Sequence, residues 1–187
     1  MTIPNSLTLL RIAMIPIFVV VFYLPLRGSH LFACLVFALA ALTDLLDGYL
    51  ARRLGQTSRL GAFLDPVADK LMVAIVLVLL VQRDPTPWLA LPAAVIIGRE
   101  ITVTALREWM AELGAGSRVS VSVYGKIKTI AQMLALVLLI FRENIAFIPV
   151  YRTGMVLLYI AAALTLWSMF QYLASAWPRL REPDARQ

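Results

Sequence analysis

The sequence predicts an all-α, polytopic integral membrane protein of six transmembrane helices, and three features carry that expectation. Hydrophobic residues make up 61% of the 187 residues, whereas soluble domains hold about 45–50%. Six predominantly apolar runs follow one another along the chain. The breaks between them are short and rich in charge, Gly or Pro. The formal charge of +6 does not indicate nucleic acid, because the basic residues cluster at helix ends and among apolar runs. Anionic lipid and phosphate-bearing ligands explain them better. The single cysteine, Cys34, excludes an internal disulfide. No internal repeat or low-complexity segment stands out.

Taken in order, Met1 to Ser6 is a lead-in and Leu7 to Leu24 the first span. No basic stretch precedes it and no small-x-small site follows, so it reads as an uncleaved helix rather than a signal peptide. Pro25 to His30 is expected to be a loop, with His30 a loop residue and not a ligand. The second helix runs from Leu31 to Leu54. Its purely apolar part, Leu31 to Thr43, is thirteen residues long, and spanning needs about twenty, so the span continues to Tyr49 or Leu50. Arg53 to Leu60 is a short basic connection, Gly61 to Gln82 the third span, and Arg83 to Pro87 a turn. The fourth helix, Trp88 to about Leu113, is longer than a bilayer requires and projects its last turns beyond it. A polar loop at Arg118 to Ser122 leads to the fifth span, Tyr124 to Phe141. The sixth runs from Val150 to Trp177. Residues 1–177 thus form one membrane domain, and residues 178–187 a disordered polar tail. With the N-terminus inside, Arg11, Arg52, Arg53, Arg59, Lys70, Arg107, Arg118, Lys126, Lys128, Arg179, Arg181 and Arg186 fall on the cytoplasmic side and Arg27, Arg83, Arg142 and Arg152 outside, as the positive-inside rule requires. Both termini are then cytoplasmic.

Four acids interrupt the apolar pattern between the second and third spans: Asp44, Asp47, Asp65 and Asp69. Asp44 and Asp47 at i, i+3 share a helix face, which Gly48, Ala51 and Arg52 continue. Asp65 and Asp69 at i, i+4 share one on the next helix, with Asp65 and Pro66 suiting a first helical turn. Intramembrane carboxylates are costly, so they indicate function. Four of them at one depth repel unless cations lie between them. Oxygen-only donors without His or Cys favour Mg2+ or Mn2+ over zinc. Two such ions would activate a nucleophile and stabilise a leaving phosphate. Gly48, Ala51 and Gly61 leave room for a ligand or a neighbouring helix to approach.

The segment reads D-x2-D-G-x2-A-R-x8-G-x3-D-x3-D, eight fixed identities over the twenty-six residues from Asp44 to Asp69. It resembles, without a departure, the signature of the CDP-alcohol phosphotransferases, membrane enzymes that displace CMP from a CDP-linked donor with an alcohol. The likeness extends to Ile3 to Arg11, Phe63 to Lys70, Arg99-Glu100, Ala105 to Leu113 and Tyr124 to Thr129. The resemblance implies CDP-diacylglycerol as donor, sn-glycerol 3-phosphate as acceptor, and a homodimer in contact with membrane lipids. It implies that Asp44, Asp47, Asp65 and Asp69 hold the metal, with Asp65 and Asp69 catalytic and Asp69 also taking the acceptor's proton. Asn5, Thr8, Asp44, Asp47, Gly48, Ala51, Arg52 and Gly61 would receive the CDP group.

Other polar residues keep two readings. Asn5, Thr8 and Arg11 recur at i, i+3, i+6, either capping the interface or lining the site. On the fourth helix, adjacent Arg99 and Glu100 are expected not to face one another. Glu100, Thr104 and Arg107 share a stripe, either a buried ion network or the border of a substrate cavity. Lys126 and Lys128 oppose the macrodipole at their helix start. They either snorkel or, with Arg107 and Arg118, bind an acceptor phosphate. Another acceptor, such as serine or inositol phosphate, would use the same motif. Intramembrane prenyltransferases carry two well-separated acidic motifs, and only one compact cluster is present here. A cation channel would need polar residues continuing across the membrane, and the outer halves of the spans are aliphatic.

Overall fold

In the computed structural model, residues 3–54, 59–112, 123–144, 147 and 149–180 are described. They form six helices: α1 (Ile3–Tyr23), α2 (Ser29–Leu54), α3 (Arg59–Arg83), α4 (Pro87–Glu112), α5 (Val123–Phe141) and α6 (Val150–Leu180). The all-α expectation holds. Alternate helices run in the same sense and consecutive ones in opposite senses: Tyr23 at the end of α1 bonds Gln82 at the end of α3, Tyr159 of α6 donates to the Trp88 carbonyl at the start of α4 (2.8 Å), and the start of α2 meets the end of α5 through His30 and Glu143. The starts of α1, α3 and α5 therefore share one end of the bundle with the finishes of α2, α4 and α6.

Helix packing is most extensive between α5 and α6 and between α1 and α2, with α4 against α6 and α1 against α3. The core is aliphatic and aromatic, built on Phe18, Phe37, Leu77, Leu80, Ile96, Leu136, Leu139 and Leu158. Gly154 sets the α5–α6 approach: a Cβ there would stand 3.0 Å from the Leu139 side chain and 3.1 Å from Leu138 Cβ. The outside of the bundle is also apolar. Val20, Leu35, Leu39, Val78, Leu91, Ile101, Ile130 and Phe170 are each at least half exposed. A helix bundle that is apolar inside and out suits hydrocarbon as its solvent.

Among the described residues, three helices are long and apolar enough to span by themselves, over Ser6–Tyr23, Pro87–Leu106 and Val150–Gln171. Shorter apolar stretches, Ser29–Asp44 and Ile127–Phe141, lie in α2 and α5. Their polar ends coincide with the acid cluster and with the lysines, so length and apolarity alone stop short of six spans.

Several boundaries differ from the sequence expectation. Helix α1 begins at Ile3, inside the expected lead-in, and α3 begins at Arg59, so Asp65 and Pro66 fall in its second turn and not its first. His30 lies in the first turn of α2 rather than in a loop, after Gly28 turns the chain at φ +88°. There it bonds Glu143 (3.0 Å), and its ring meets Phe141 edge-on. Helix α6 continues to Leu180, through the first residues of the expected tail. The physical reason is common to all: backbone hydrogen bonding propagates past the last apolar residue, and apolarity marks where a helix is buried, not where it ends. The expected loop at Arg118 to Ser122 and the tail beyond residue 180 lie outside the described residues.

Candidate active site

Asp44 and Asp69 come from α2 and α3, and the bundle brings them to one place. With Arg11 of α1 they line a small cavity, alongside the apolar side chains of Phe37, Met72 and Met133. Arg11 is only 2% exposed, and its Nη1 lies 2.7 Å from Asp44 Oδ1. Burying a guanidinium is tolerated when a carboxylate answers it. Thr8, one turn earlier on α1, is fully buried, which places the Thr8–Arg11 face toward the interior rather than the interface. Helical register keeps positions 44 and 47 on one face of α2, and 65 and 69 on one face of α3. Among the described residues, no group of three or more His, Cys, Asp or Glu is gathered as a metal cage. Asp47 and Asp65 are helical, but their side chains lie outside the described residues, as do those of Asn5, Arg52, Arg107 and Lys126 and the surroundings of Gly48, Ala51 and Gly61. Arg118 lies outside altogether.

A second, larger cavity of about 440 Å3 opens between α3 and α4. Its walls are apolar, from Val67, Leu71, Ala74, Ile97 and Ile101, and Lys70, Glu100, Thr104 and Glu108 also line it. Lys70 donates to the Thr104 hydroxyl, which donates in turn to the Glu100 carbonyl (2.6 Å). Lys128 is buried, and its ammonium lies 2.7 Å from Glu100 Oε1. Arg99 Nη1 reaches the same oxygen at 2.8 Å, and its Nη2 donates to Ser168 Oγ of α6 at 3.0 Å.

Arg99 and Glu100 thus face one another, contrary to expectation. The spacing rule concerns directions at Cβ, and two long side chains bend together when both are drawn toward Lys128 and α6. Glu100 centres a buried ion network, the first reading of its stripe, and with Thr104 it lines a cavity, while the side chain of Arg107 lies outside the described residues. The network members Lys70, Arg99 and Ser168 were missed as a group. The available signal was their position, charged or hydroxyl residues inside otherwise apolar helices.

Comparison with known proteins bears on what this arrangement does. The family described as CDP-alcohol phosphatidyltransferase matches residues 1–167. A protein of Pseudomonas fluorescens named CDP-diacylglycerol--glycerol-3-phosphate 3-phosphatidyltransferase is 59% identical, over 100% of this chain and 96% of its own. Proteins of the same name from Sodalis glossinidius and Escherichia coli K12 are each 56% identical, covering 94% and 93% of this chain and 95% and 94% of their own.

Proposed function

This chain belongs to the CDP-alcohol phosphatidyltransferase family, and we propose that it transfers the phosphatidyl group of CDP-diacylglycerol to sn-glycerol 3-phosphate, giving phosphatidylglycerophosphate and CMP. The names of its full-length relatives support the two substrates. The observation that carries the site is the meeting of Asp44 and Asp69, from two helices of the complete acid pattern, at one small cavity. Serine or inositol phosphate as acceptor, a prenyl diphosphate and a cation path have no comparable support.

Members of the family work with divalent metal ions. The donor set here fits such a group: two carboxylates from different helices line the same cavity, with no His or Cys among the described residues that line it. Asp44, Asp47, Asp65 and Asp69 would hold two ions, Mg2+ or Mn2+. Bound there, they supply charge neutralisation at the diphosphate.

The rest is work for the chain's own groups. Gly48, Ala51 and Gly61 allow close approach of the CDP group, and Asn5, Thr8 and Arg52 supply polar contacts to it. Arg107, Arg118, Lys126 and Lys128 orient the acceptor through its phosphate. Asp69 takes the proton of the attacking hydroxyl as its oxygen bonds to the phosphorus on the lipid side. The bond from that phosphorus to the bridging oxygen breaks, and CMP leaves with the electron pair. Positioning and charge neutralisation dominate such transfers.

The protein acts as one membrane domain with six spans, its acid end and both termini toward the cytoplasm of a bacterial inner membrane, and as a homodimer. A detergent-corrected mass of one chain would refute the dimer. The activity is tested by CMP release from CDP-diacylglycerol, comparing glycerol 3-phosphate, inositol phosphate, serine and no acceptor. Release only with glycerol 3-phosphate is expected, and release with another alcohol instead would overturn the acceptor.

A further inference from the structure

The Glu100 network joins four helices at the acid end. Its carboxylate oxygen Oε1 holds Arg99 of α4 and Lys128 of α5, Arg99 continues to Ser168 of α6, and the Glu100 carbonyl is linked through Thr104 to Lys70 of α3. Lys70 is the residue after Asp69. Lys128 is 6% exposed and Arg99 8%, so both charges sit in surroundings where an ion is costly. One carboxylate oxygen serves two cations. Glu100 and Lys70 also line the large cavity, so the charges that the network holds in place lie beside space that a charged ligand could enter.

We propose that Glu100 is a positioning residue of the acceptor site. It holds the ammonium of Lys128 against α4, so that the acceptor's phosphate meets a positive charge already in place. Through Thr104 and Lys70 it keeps that charge in register with Asp69, which meets the acceptor's hydroxyl. A lysine side chain loses much rotamer freedom when it is fixed. With Glu100 holding it, that loss occurs on folding and not on binding, which is how preorganisation raises affinity. The inference rests on the reading of Lys128 as a phosphate contact.

The test uses the full-length protein in detergent, with kcat and both KM values for wild type, Glu100→Gln, Lys128→Met and the double variant. Glu100→Gln keeps the shape and removes the charge. It is expected to raise the KM for glycerol 3-phosphate about tenfold, the lower range for a hydrogen bond to a charged group. The KM for CDP-diacylglycerol should stay within about twofold, and the double variant should be no worse than Lys128→Met alone. A Glu100→Gln enzyme with wild-type acceptor KM and only a lower Tm would make the network purely structural and overturn the proposal. An acceptor KM that falls would do the same, since it would mean that Glu100 only competes with the phosphate. If Lys128→Met leaves the acceptor KM unchanged, the phosphate-contact reading fails and this inference with it. If Lys128→Met raises it and Glu100→Gln does not, only the inference fails. Should Glu100→Gln not fold, Glu100→Asp keeps the charge one methylene shorter. An acceptor KM raised about threefold is expected there, and an unchanged value overturns the proposal.

Discussion

The two ends of the bundle are both polar, and they are polar in different ways. At the end where α1, α3 and α5 finish, polar side chains tie one helix end to another. Tyr23 bonds Gln82, and Tyr151 donates to Asp84. Arg83 donates to the Leu139 carbonyl (2.5 Å) and lies over the Phe22 ring, while Arg142 lies over Tyr151. His30 bonds Glu143 across α2 and the end of α5. At the other end, carboxylates converge on cavities: Asp44 and Asp69 on the small one, Glu100 beside the large one. One end is held by bonds between helix ends, whereas the other also sets charged groups beside cavities. Charges that line a cavity can meet a ligand as well as hold helices, so the proposed chemistry lies at the acid end, and the opposite end is expected to contribute stability.

Substitutions at the two ends should therefore separate activity from stability. The largest effect is expected from Asp44→Asn, which removes an acid of the metal set while keeping its size. CMP release should fall about a thousandfold, the scale of losing one key electrostatic group at a reacting centre, in a protein that still folds but with a lowered Tm, because the buried Arg11 guanidinium then faces a neutral amide. Asp65→Asn should lose activity alike, and normal turnover would remove Asp65 from the site. Next, EDTA should abolish CMP release, and added Mg2+ or Mn2+ should restore it. Release that persists in EDTA would contradict a metal role for the four acids.

At the opposite end the expected effects are on stability. Asp84→Asn weakens the bond from Tyr151 and should cost about 1.5 kcal/mol, lowering Tm by about 3–6 °C with both KM values unchanged. A raised KM would mean that this end communicates with the site. Smallest is Gly154→Ala, whose added methyl presses on Leu138 and Leu139. About 1 kcal/mol is expected, because the leucines can yield a few tenths of an ångström, and thermal unfolding measures it.

Much of this was legible in the sequence, for reasons that particular residues make plain. The six helices followed from the apolar runs because lipid-facing and core positions are both apolar, as Val78 and Leu77 illustrate side by side. Asp44 and Asp69 were placed at one depth by the length a span requires, each on a face shared with a second acid. Pairings between helices were not legible. Nothing in the sequence says that Arg11 meets Asp44, or that Lys128 meets Glu100 twenty-eight residues away, since such contacts depend on how helices rotate against one another. Tyr151 and Asp84, each at a helix end, are legible only once that packing is known. Local rules also misled where side chains were long. Arg99 and Glu100 were set apart by spacing and are joined in the fold.

The division between the two ends is tested most directly by one paired measurement, CMP release from CDP-diacylglycerol and glycerol 3-phosphate by Asp44→Asn and Asp84→Asn proteins purified in parallel, with their melting temperatures. The account predicts a folded, almost inactive Asp44→Asn enzyme and an Asp84→Asn enzyme with wild-type turnover and a lower Tm. An active Asp44→Asn protein, or an Asp84→Asn protein that keeps its Tm and loses activity, would contradict it.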